Sequence, residues 1–161
     1  MKSVRYTAAT IAKLLRAKLL QNNSAQIIEQ LLPDSRKLSQ AAGTLFFAIK
    51  GDRRNGHEFV YNLYENGVRN FVVSDDVDLT KLSDASVIQV KDTVRAMQTL
   101  AAAHTRNFSI PVIGITGSNG KTIVKEWLNQ LLESDYNIVR SPKSYNSQTG
   151  VTLSVWQMKD Y

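Results

Sequence analysis

The amino-acid sequence predicts an α/β fold in two units: a small N-terminal α/β domain at residues 1–108 and the truncated start of a second, parallel α/β domain at residues 109–161. Three observations lead to this prediction. Strand-like and helix-like segments alternate through the first unit, a glycine-rich loop between a strand and a helix follows Pro111, and the last helical pattern reaches Tyr161 without an end signal. Because two strands and two helices cannot close a sheet, we expect the second unit to leave one apolar edge open.

Hydrophobic spacing predicts the elements of the first unit. Residues 8–20 have apolar side chains at helical spacing and follow Thr7, a good N-cap. Gly67 is expected to end a second helix and Asp92 to cap a third. The predicted strands are residues 26–32, 45–49, 70–74 and 86–90, and the later helices are residues 58–66 and 93–107.

The second unit is predicted to begin with a strand, a loop and a helix. β-branched residues after Pro111 predict the strand, and apolar side chains at helical spacing predict the helix. The predicted order is strand 112–116, loop 117–120, helix 121–132, a short strand at 137–140 and a helical pattern at 151–158.

Composition excludes several classes of protein. Hydrophobic residues make up 43% of the chain and charged residues 21%, which is typical of globular proteins and excludes disordered and fibrous ones. The absence of cysteine excludes disulfides, thiolate metal sites and cysteine nucleophiles. No apolar run approaches the roughly 18 residues of a membrane span, and the N-terminus lacks the apolar stretch of a signal peptide. We therefore expect a cytoplasmic protein without membrane insertion.

The net charge of +6 is concentrated at one end of the chain. Residues 1–56 contain ten Lys and Arg against three Asp and Glu, whereas residues 57–110 contain five against seven. This local excess favours a small anionic ligand over a nucleic-acid partner. A solvated basic surface without a ligand is the alternative.

The loop from Gly114 to Thr122 reads G-I-T-G-S-N-G-K-T and carries the strongest chemical signal. Glycines let the backbone approach a phosphate, and the N-terminus of the following helix directs N–H groups toward it. Lys121 can reach the β- and γ-phosphates, and the Thr122 hydroxyl can bind Mg²⁺. The residues predicted to bind a nucleoside triphosphate are Thr116, Gly117, Ser118, Asn119, Gly120, Lys121 and Thr122.

This loop matches a variant of the phosphate-binding motif. Ile115 stands where the pattern G-x-x-x-x-G-K-[ST] requires glycine, and T-G-x-x-G-K-T remains. A glycine-rich turn without a ligand is the alternative. An acidic Mg²⁺ ligand on a later strand is also needed, but the acids after the loop lie in helical or terminal contexts. We therefore expect the rest of the catalytic site to lie outside these residues.

Several motifs together resemble the Mur ligases, ATP-dependent enzymes that build the peptidoglycan stem peptide. The motifs that carry the resemblance are the loop at 114–122, D-S-R-K at 34–37, L-F-F-A-I-K-G at 45–51, N-G-H-E-F at 55–59 and S-P-K-S-Y-N-S-Q-T-G-V at 141–151. Lys50-Gly51 and the Y-N-S-Q sequence favour the MurF branch. The resemblance implies that the second unit is the start of a P-loop-containing ATPase domain.

The resemblance implies an ATP- and Mg²⁺-dependent ligase. Members of this branch add D-Ala-D-Ala to UDP-N-acetylmuramoyl-tripeptide through an acyl phosphate. Lys121 would stabilise charge on the transferred phosphoryl group, and Thr122 would hold Mg²⁺. We expect this chain alone to be inactive, because the family's remaining magnesium ligands have no counterpart in it.

The resemblance also implies the residues that bind the UDP-linked substrate: Ser35, Arg36, Asp52, Arg53, Arg54, Asn146 and Ser147. Arginines suit a diphosphate. The alternatives are an ion pair between Arg36 and Asp34, a solvated turn at residues 53–54, and a turn cap at Asn146. His57 and His104 are expected to be structural.

Two departures from the family pattern and two alternative functions remain open. Residues 39–43 contain extra residues where the family has a short Pro-Gly turn, and Thr149 and Thr152 replace an expected Ile and Pro. The alternative functions are a MurE-type ligase, which adds the third amino acid of the stem peptide, and a stand-alone nucleotide-binding module that is not catalytic.

Overall fold

The computed structural model describes residues 5–51, 54–141 and 147–159. Its sheet has five strands in the order β1-β5-β4-β3-β2. The strands are β1 Lys18–Asn22, β2 Gln30–Leu32, β3 Thr44–Phe47, β4 Asn70–Val73 and β5 Ser86–Gln89. The helices are α1 Ala8–Leu15, α2 Val60–Glu65, α3 Thr93–Thr105, α4 Lys121–Leu132 and α5 Gln148–Trp156, and short 3₁₀ turns lie at Ser35–Lys37, Gly56–Phe59 and Leu79–Lys81.

The sheet is parallel from β2 to β5, and β1 is an antiparallel edge strand. Every residue of β3 and β4 is buried, because helices and loops cover both faces. Alternate side chains therefore enter two cores: Leu45 and Phe47 pack with α1, α3 and α5, whereas Phe46 packs on the α2 side. This double burial explains why β3 and β4 each contain three consecutive apolar residues.

The predicted helix at residues 8–20 is wrong in its second half. Thr7 caps α1 as expected, since its hydroxyl oxygen accepts a hydrogen bond from the Thr10 amide at 3.2 Å. The helix then ends at Arg16, which adopts the left-handed conformation with φ of 50°. The next residues form β1, whose Leu19 and Leu20 enter opposite cores. The two leucines fit a helix and a strand equally well, and the segment forms a strand because it pairs with β5.

The other elements of the first unit are confirmed with shifted ends. The strand expected at residues 26–32 shortens to β2, and the helix expected at 58–66 begins with a 3₁₀ turn before α2. The Asp92 carboxylate caps α3 by accepting a hydrogen bond from the Arg95 amide at 2.9 Å. Gly67 follows α2 with a φ of 93°, which suits a glycine stop.

The second unit forms its predicted helix, α4, but residues 112–116 and 137–140 are not strands. A strand requires a hydrogen-bonded neighbour, and within the described ranges neither segment pairs with another. Val112 is 75% exposed and Trp127, on α4, is 64% exposed. The open apolar edge that the sequence predicts is therefore present on α4 and the segment before it.

The last helix, α5, packs against α3 and the end of the sheet at β2. It begins at Gln148, three residues before the predicted start, because the Ser147 hydroxyl accepts a hydrogen bond from the Gly150 amide at 3.0 Å and caps it. Trp156 is buried in the first core, and its indole N–H donates to the Glu29 carbonyl at 2.9 Å. Among the described helices, none combines the length and apolar character that crossing a membrane requires.

Candidate functional site

A cleft of about 360 Å³ lies where β2 and β3 end. The carboxyl ends of parallel strands form one edge of a sheet, which is where α/β proteins commonly bind ligands. The lining comes from three parts of the chain: residues 33–37, residues between 46 and 59, and the first two turns of α5. The cleft therefore joins segments that lie about 100 positions apart in the sequence.

Four of the residues predicted to bind the UDP-linked substrate line this cleft together. They are Ser35, Arg36, Arg54 and Ser147. The other three, Asp52, Arg53 and Asn146, lie outside the described residues. Residues 116–122 of the glycine-rich loop are not part of the cleft lining.

Arg36 is held by its neighbour Asp34 in a two-pronged ion pair. The Arg36 Nε donates to Asp34 Oδ1 at 2.9 Å, and Nη2 donates to Oδ2 at 2.7 Å. The Arg36 guanidinium lowers the pKa of Asp34 to about 2, so this carboxylate keeps its charge throughout the physiological range. The ion pair between Arg36 and Asp34, which was the alternative to a substrate contact of Arg36, is therefore present. The pair uses two of the five guanidinium N–H groups, and the side chain remains 66% exposed.

Asp34 also shapes the backbone that carries Arg36. Its Oδ1 accepts a hydrogen bond from the Arg36 amide at 3.2 Å, and its carbonyl accepts one from the Lys37 amide at 2.9 Å. The carboxylate thus caps the 3₁₀ turn Ser35–Lys37 that follows β2 and Pro33. This local device presents Ser35 and Arg36 at the cleft.

Two backbone hydrogen bonds hold Gly51 and Arg54 at the cleft. The Gly56 amide donates to the Ile49 carbonyl at 2.8 Å, and the Gly51 amide donates to the Arg54 carbonyl at 2.9 Å. A Cβ atom at position 56 would lie 2.6 Å from the Ile49 amide nitrogen. Only glycine allows this close approach.

The cleft combines apolar and cationic walls. Phe46, Ile49, Phe59 and Leu153 supply the apolar surface, and Arg36, Lys37 and Arg54 supply positive charge. A ligand that joins a planar base or apolar group to phosphates would match both features. The excess positive charge of the first 56 residues therefore lies partly at this cleft.

The apolar lining and the α5 wall were not predicted from the sequence. Leu153, Thr149 and Gly150 line the cleft only because α5 docks against the first unit. The one available signal was Ser147, a residue type that commonly caps helices. The helical pattern predicted from the sequence begins at residue 151, three residues after α5 begins at Gln148.

Two glycines of the glycine-rich loop adopt backbone conformations with positive φ. Gly117 has a φ of 147° and Gly120 a φ of 77°, conformations that favour glycine. Gly120 is the N-cap of α4. The Lys121 ammonium folds back over the loop, where it donates to the Gly117 carbonyl and, at 3.4 Å, to the Ser118 carbonyl. The Lys121 side chain, the glycine backbone and the N-terminus of α4 therefore lie close together. This arrangement fits the phosphates of a nucleotide.

Comparison with protein families accounts for both units. Residues 28–105 match the catalytic domain of the Mur ligase family, and residues 115–161 match the Mur ligase middle domain. The chain belongs to the Mur ligase family. The resemblance drawn from the sequence motifs is confirmed, and the predicted unit boundary falls between the two matched regions.

Individual relatives of this Mur ligase chain support the same assignment. The UDP-N-acetylmuramoyl-tripeptide–D-alanyl-D-alanine ligase of Bacillus subtilis is 34% identical over 158 residues, which are 98% of this chain and 34% of that enzyme. The UDP-N-acetylmuramoyl-L-alanyl-D-glutamate–2,6-diaminopimelate ligase of Clostridium botulinum is 34% identical over 126 residues, or 76% of this chain and 26% of that enzyme. The chain thus spans about a third of the length of the curated relatives that it matches.

Solved structures of Mur ligases confirm the fold. A crystal structure of MurF from Acinetobacter baumannii matches 98% of this chain and 34% of its own, with a TM-score of 0.84 and 26% identity. MurF from Thermotoga maritima, solved in complex with ADP, matches 80% of this chain and 29% of its own, with a TM-score of 0.68 and 28% identity.

Proposed function

We propose that this Mur ligase chain binds UDP-N-acetylmuramoyl-tripeptide in its cleft and ATP at its glycine-rich loop, within an enzyme that adds D-Ala-D-Ala to the tripeptide. In this proposal residues 1–108 form the substrate domain and residues 109–161 begin the ATP-binding domain. One observation carries it: Ser35, Arg36, Arg54 and Ser147 line a single cleft. Asp52, Arg53 and Asn146 remain predicted substrate contacts. A cytoplasmic location belongs to the proposal, because the reaction consumes ATP.

The cleft residues divide the recognition of the substrate between them. Arg36 and Arg54 neutralise the diphosphate, and the planar guanidinium of Arg36, oriented by Asp34, directs its remaining N–H groups at phosphate oxygens. Ser35 and Ser147 have hydroxyl groups that donate to or accept from the sugar and phosphates. The partly buried Phe59 ring lines the cleft and suits the uracil ring.

The glycine-rich loop supplies the phosphoryl-transfer part of the chemistry. ATP supplies the phosphoryl group that activates the peptide carboxylate as an acyl phosphate, from which the amine of D-Ala-D-Ala displaces phosphate. The loop amides and the Lys121 ammonium bind and neutralise the phosphates. The Thr122 hydroxyl, in the first turn of α4, is the proposed Mg²⁺ ligand within this chain.

The MurE-type reaction is the second candidate, because a 2,6-diaminopimelate ligase is as similar in identity as the first relative, at 34%. The longer match, over 158 residues rather than 126, favours the MurF-type reaction. Assaying the full-length enzyme with D-Ala-D-Ala and with diamino acids as the amine separates the two.

Calorimetry with UDP and with UDP-N-acetylmuramoyl-tripeptide tests the cleft directly. We expect Arg36→Ala to weaken binding about tenfold or more, since it removes a charge-assisted contact to phosphate. Arg69→Ala is the matched control, because Arg69 forms a similar pair with Asp84 at 2.7 Å but does not line the cleft. Absence of UDP binding by the unchanged chain, or equal losses in the two variants, would contradict the proposal.

A further inference from the structure

His57 lies directly after the loop that brings Arg54 to the cleft, and its side chain is 8% exposed. The backbone amides of Ser74 and Asp75, which follow β4, donate to its Nε2 at 2.9 and 3.1 Å. On the other side of the ring, Nδ1 lies 2.7 Å from Asn55 Oδ1. The imidazole therefore joins the loop to the end of the neighbouring strand.

These contacts define the protonation state of the ring. Backbone N–H groups only donate, so Nε2 of His57 accepts and carries no hydrogen. The hydrogen of the neutral ring is then on Nδ1, which donates it to Asn55 Oδ1. The same oxygen accepts a hydrogen bond from the His57 amide at 3.1 Å. The backbone of Asn55 also forms a β-bridge with Lys50. Contacts of its side chain and of its backbone therefore both fix Asn55.

Two charged groups act on this ring. The Asp75 carboxylate lies 3.9 Å from Nδ1 and also pairs with the Lys50 ammonium at 3.1 Å. Burial lowers the pKa of His57; Asp75 opposes this effect and Lys50 adds to it. The neutral ring is therefore the form present at neutral pH.

We propose that His57 is a positioning residue for the nucleotide-sugar cleft, where its neutral imidazole holds the loop that presents Gly51 and Arg54. This role rests on the proposed function of the cleft. An imidazolium has two donors and no acceptor, so protonation breaks both hydrogen bonds from residues 74 and 75. The loop then loses its attachment to β4, and binding of the nucleotide sugar weakens in acid.

Calorimetry with UDP-N-acetylmuramoyl-tripeptide at about pH 7.5 and about pH 5 tests this role, because the diphosphate diester of this ligand lacks the phosphomonoester proton that titrates near pH 6. Asp34, with a pKa of about 2, and Asp75, whose pKa the Lys50 ammonium lowers, stay ionised at both values. We expect the unchanged chain to lose about three- to tenfold in affinity on acidification.

Two substitutions separate positioning from simple stability. In His57→Gln the amide oxygen can accept from the same backbone groups without titrating, so we expect near-normal affinity at pH 7.5 and a much smaller loss in acid. His57→Phe fills the ring volume without an acceptor, so its affinity at pH 7.5 should already be reduced to about the acid value. A thermal unfolding scan of each variant shows whether it is folded.

His104→Gln is the control, because His104 is the other histidine of the chain and does not line the cleft. We expect this variant to keep the acid loss. An acid loss of full size in His57→Gln, or no acid loss in the unchanged chain, would overturn the role of His57. If the unchanged chain does not bind at pH 7.5, the proposed function of the cleft itself fails. If His57→Phe does not fold, the comparison of His57→Gln with the unchanged chain still shows whether His57 causes the acid loss.

Discussion

The Tyr6 hydroxyl oxygen lies 3.0 Å from Nδ1 of His104, a residue 98 positions away in the chain. On the other side of the ring, Nε2 lies 3.0 Å from the Met158 carbonyl, which can only accept. Nε2 therefore carries the hydrogen, and Nδ1 accepts one from Tyr6. Asn107 donates to the same hydroxyl at 3.1 Å. A neutral His104 thus connects the start of the chain to the residues that follow α5.

Replacing His104 tests how much this connection stabilises the docking of α5. His104→Phe keeps an aromatic ring beside Trp156, whose centroid is 4.7 Å away, but removes both hydrogen bonds. We expect a loss of about 2 kcal/mol in the free energy of unfolding, since each buried bond contributes about 1 kcal/mol. Urea unfolding measures it.

Tryptophan fluorescence shows whether the His104→Phe substitution loosens the region around Trp156. The chain has two tryptophans, and Trp127→Phe removes the exposed one, so that the emission comes from buried Trp156. In this background His104→Phe should shift the emission to longer wavelength before global unfolding. An unchanged spectrum and an unchanged urea midpoint would contradict a role for His104 in holding α5.

Stability should fall as the solution becomes acidic. Burial lowers the pKa of both His57 and His104 from the ordinary value of 6.5. Below about pH 6.5 the unfolded chain therefore binds protons that the folded chain does not, so the free energy of unfolding is complete above that pH and decreases below it. Urea unfolding between about pH 7.5 and 5 measures this slope. We expect the double variant His57→Gln with His104→Gln to show a flatter profile, and an identical slope would contradict the assignment.

The predictions from sequence succeeded where a signal is local. A continuous apolar run at residues 45–49 predicted β3, because a strand that is buried on both faces needs no alternation. The segments N-F-V-V-S and S-V-I-Q-V predicted β4 and β5. β1 was missed because Leu19 and Leu20 satisfy both periods, and only the turn at Arg16 and pairing with β5 exclude the helix. Those interactions are not visible in a sequence window.

The candidate site was predicted only in part, because only some of its residues belong to a local sequence motif. The resemblance in the D-S-R-K motif indicated Ser35 and Arg36, and both line the cleft. The α5 wall depends on Trp156 reaching the Glu29 carbonyl across 127 positions, and no motif near Leu153 records that contact. The strand expected at residues 112–116 failed because strand formation depends on a partner, whatever the local propensity.

Exposed apolar side chains on α4 should make this chain self-associate. Ile123, Trp127 and Leu131 are each more than half exposed and lie at four-residue spacing, so they form one stripe on the helix. We expect concentration-dependent association in analytical ultracentrifugation, and a marked reduction in Trp127→Lys with Leu131→Lys. Gln130→Lys, at an exposed polar position of the same helix, is the control for added charge. Equal association in all three proteins would contradict a role for the stripe.

The two glycines at positions 56 and 114 offer a matched pair of substitutions. In Gly56→Ala the new Cβ would lie 2.6 Å from the Ile49 amide nitrogen and 2.8 Å from the Ala48 carbonyl carbon. Both atoms belong to the peptide group that joins Ala48 and Ile49, and this backbone must move, so we expect a loss of about 2 kcal/mol or more in the free energy of unfolding.

Gly114→Ala adds the same methyl group where no atom lies within 4 Å, and it should change stability by less than about 1 kcal/mol. Urea unfolding of the two variants measures the difference. Because the loop at residue 56 also presents Arg54 to the cleft, Gly56→Ala should in addition weaken UDP binding under conditions where the variant remains folded. A Gly56→Ala protein as stable as Gly114→Ala would show that the loop does not require the close approach of residues 49 and 56.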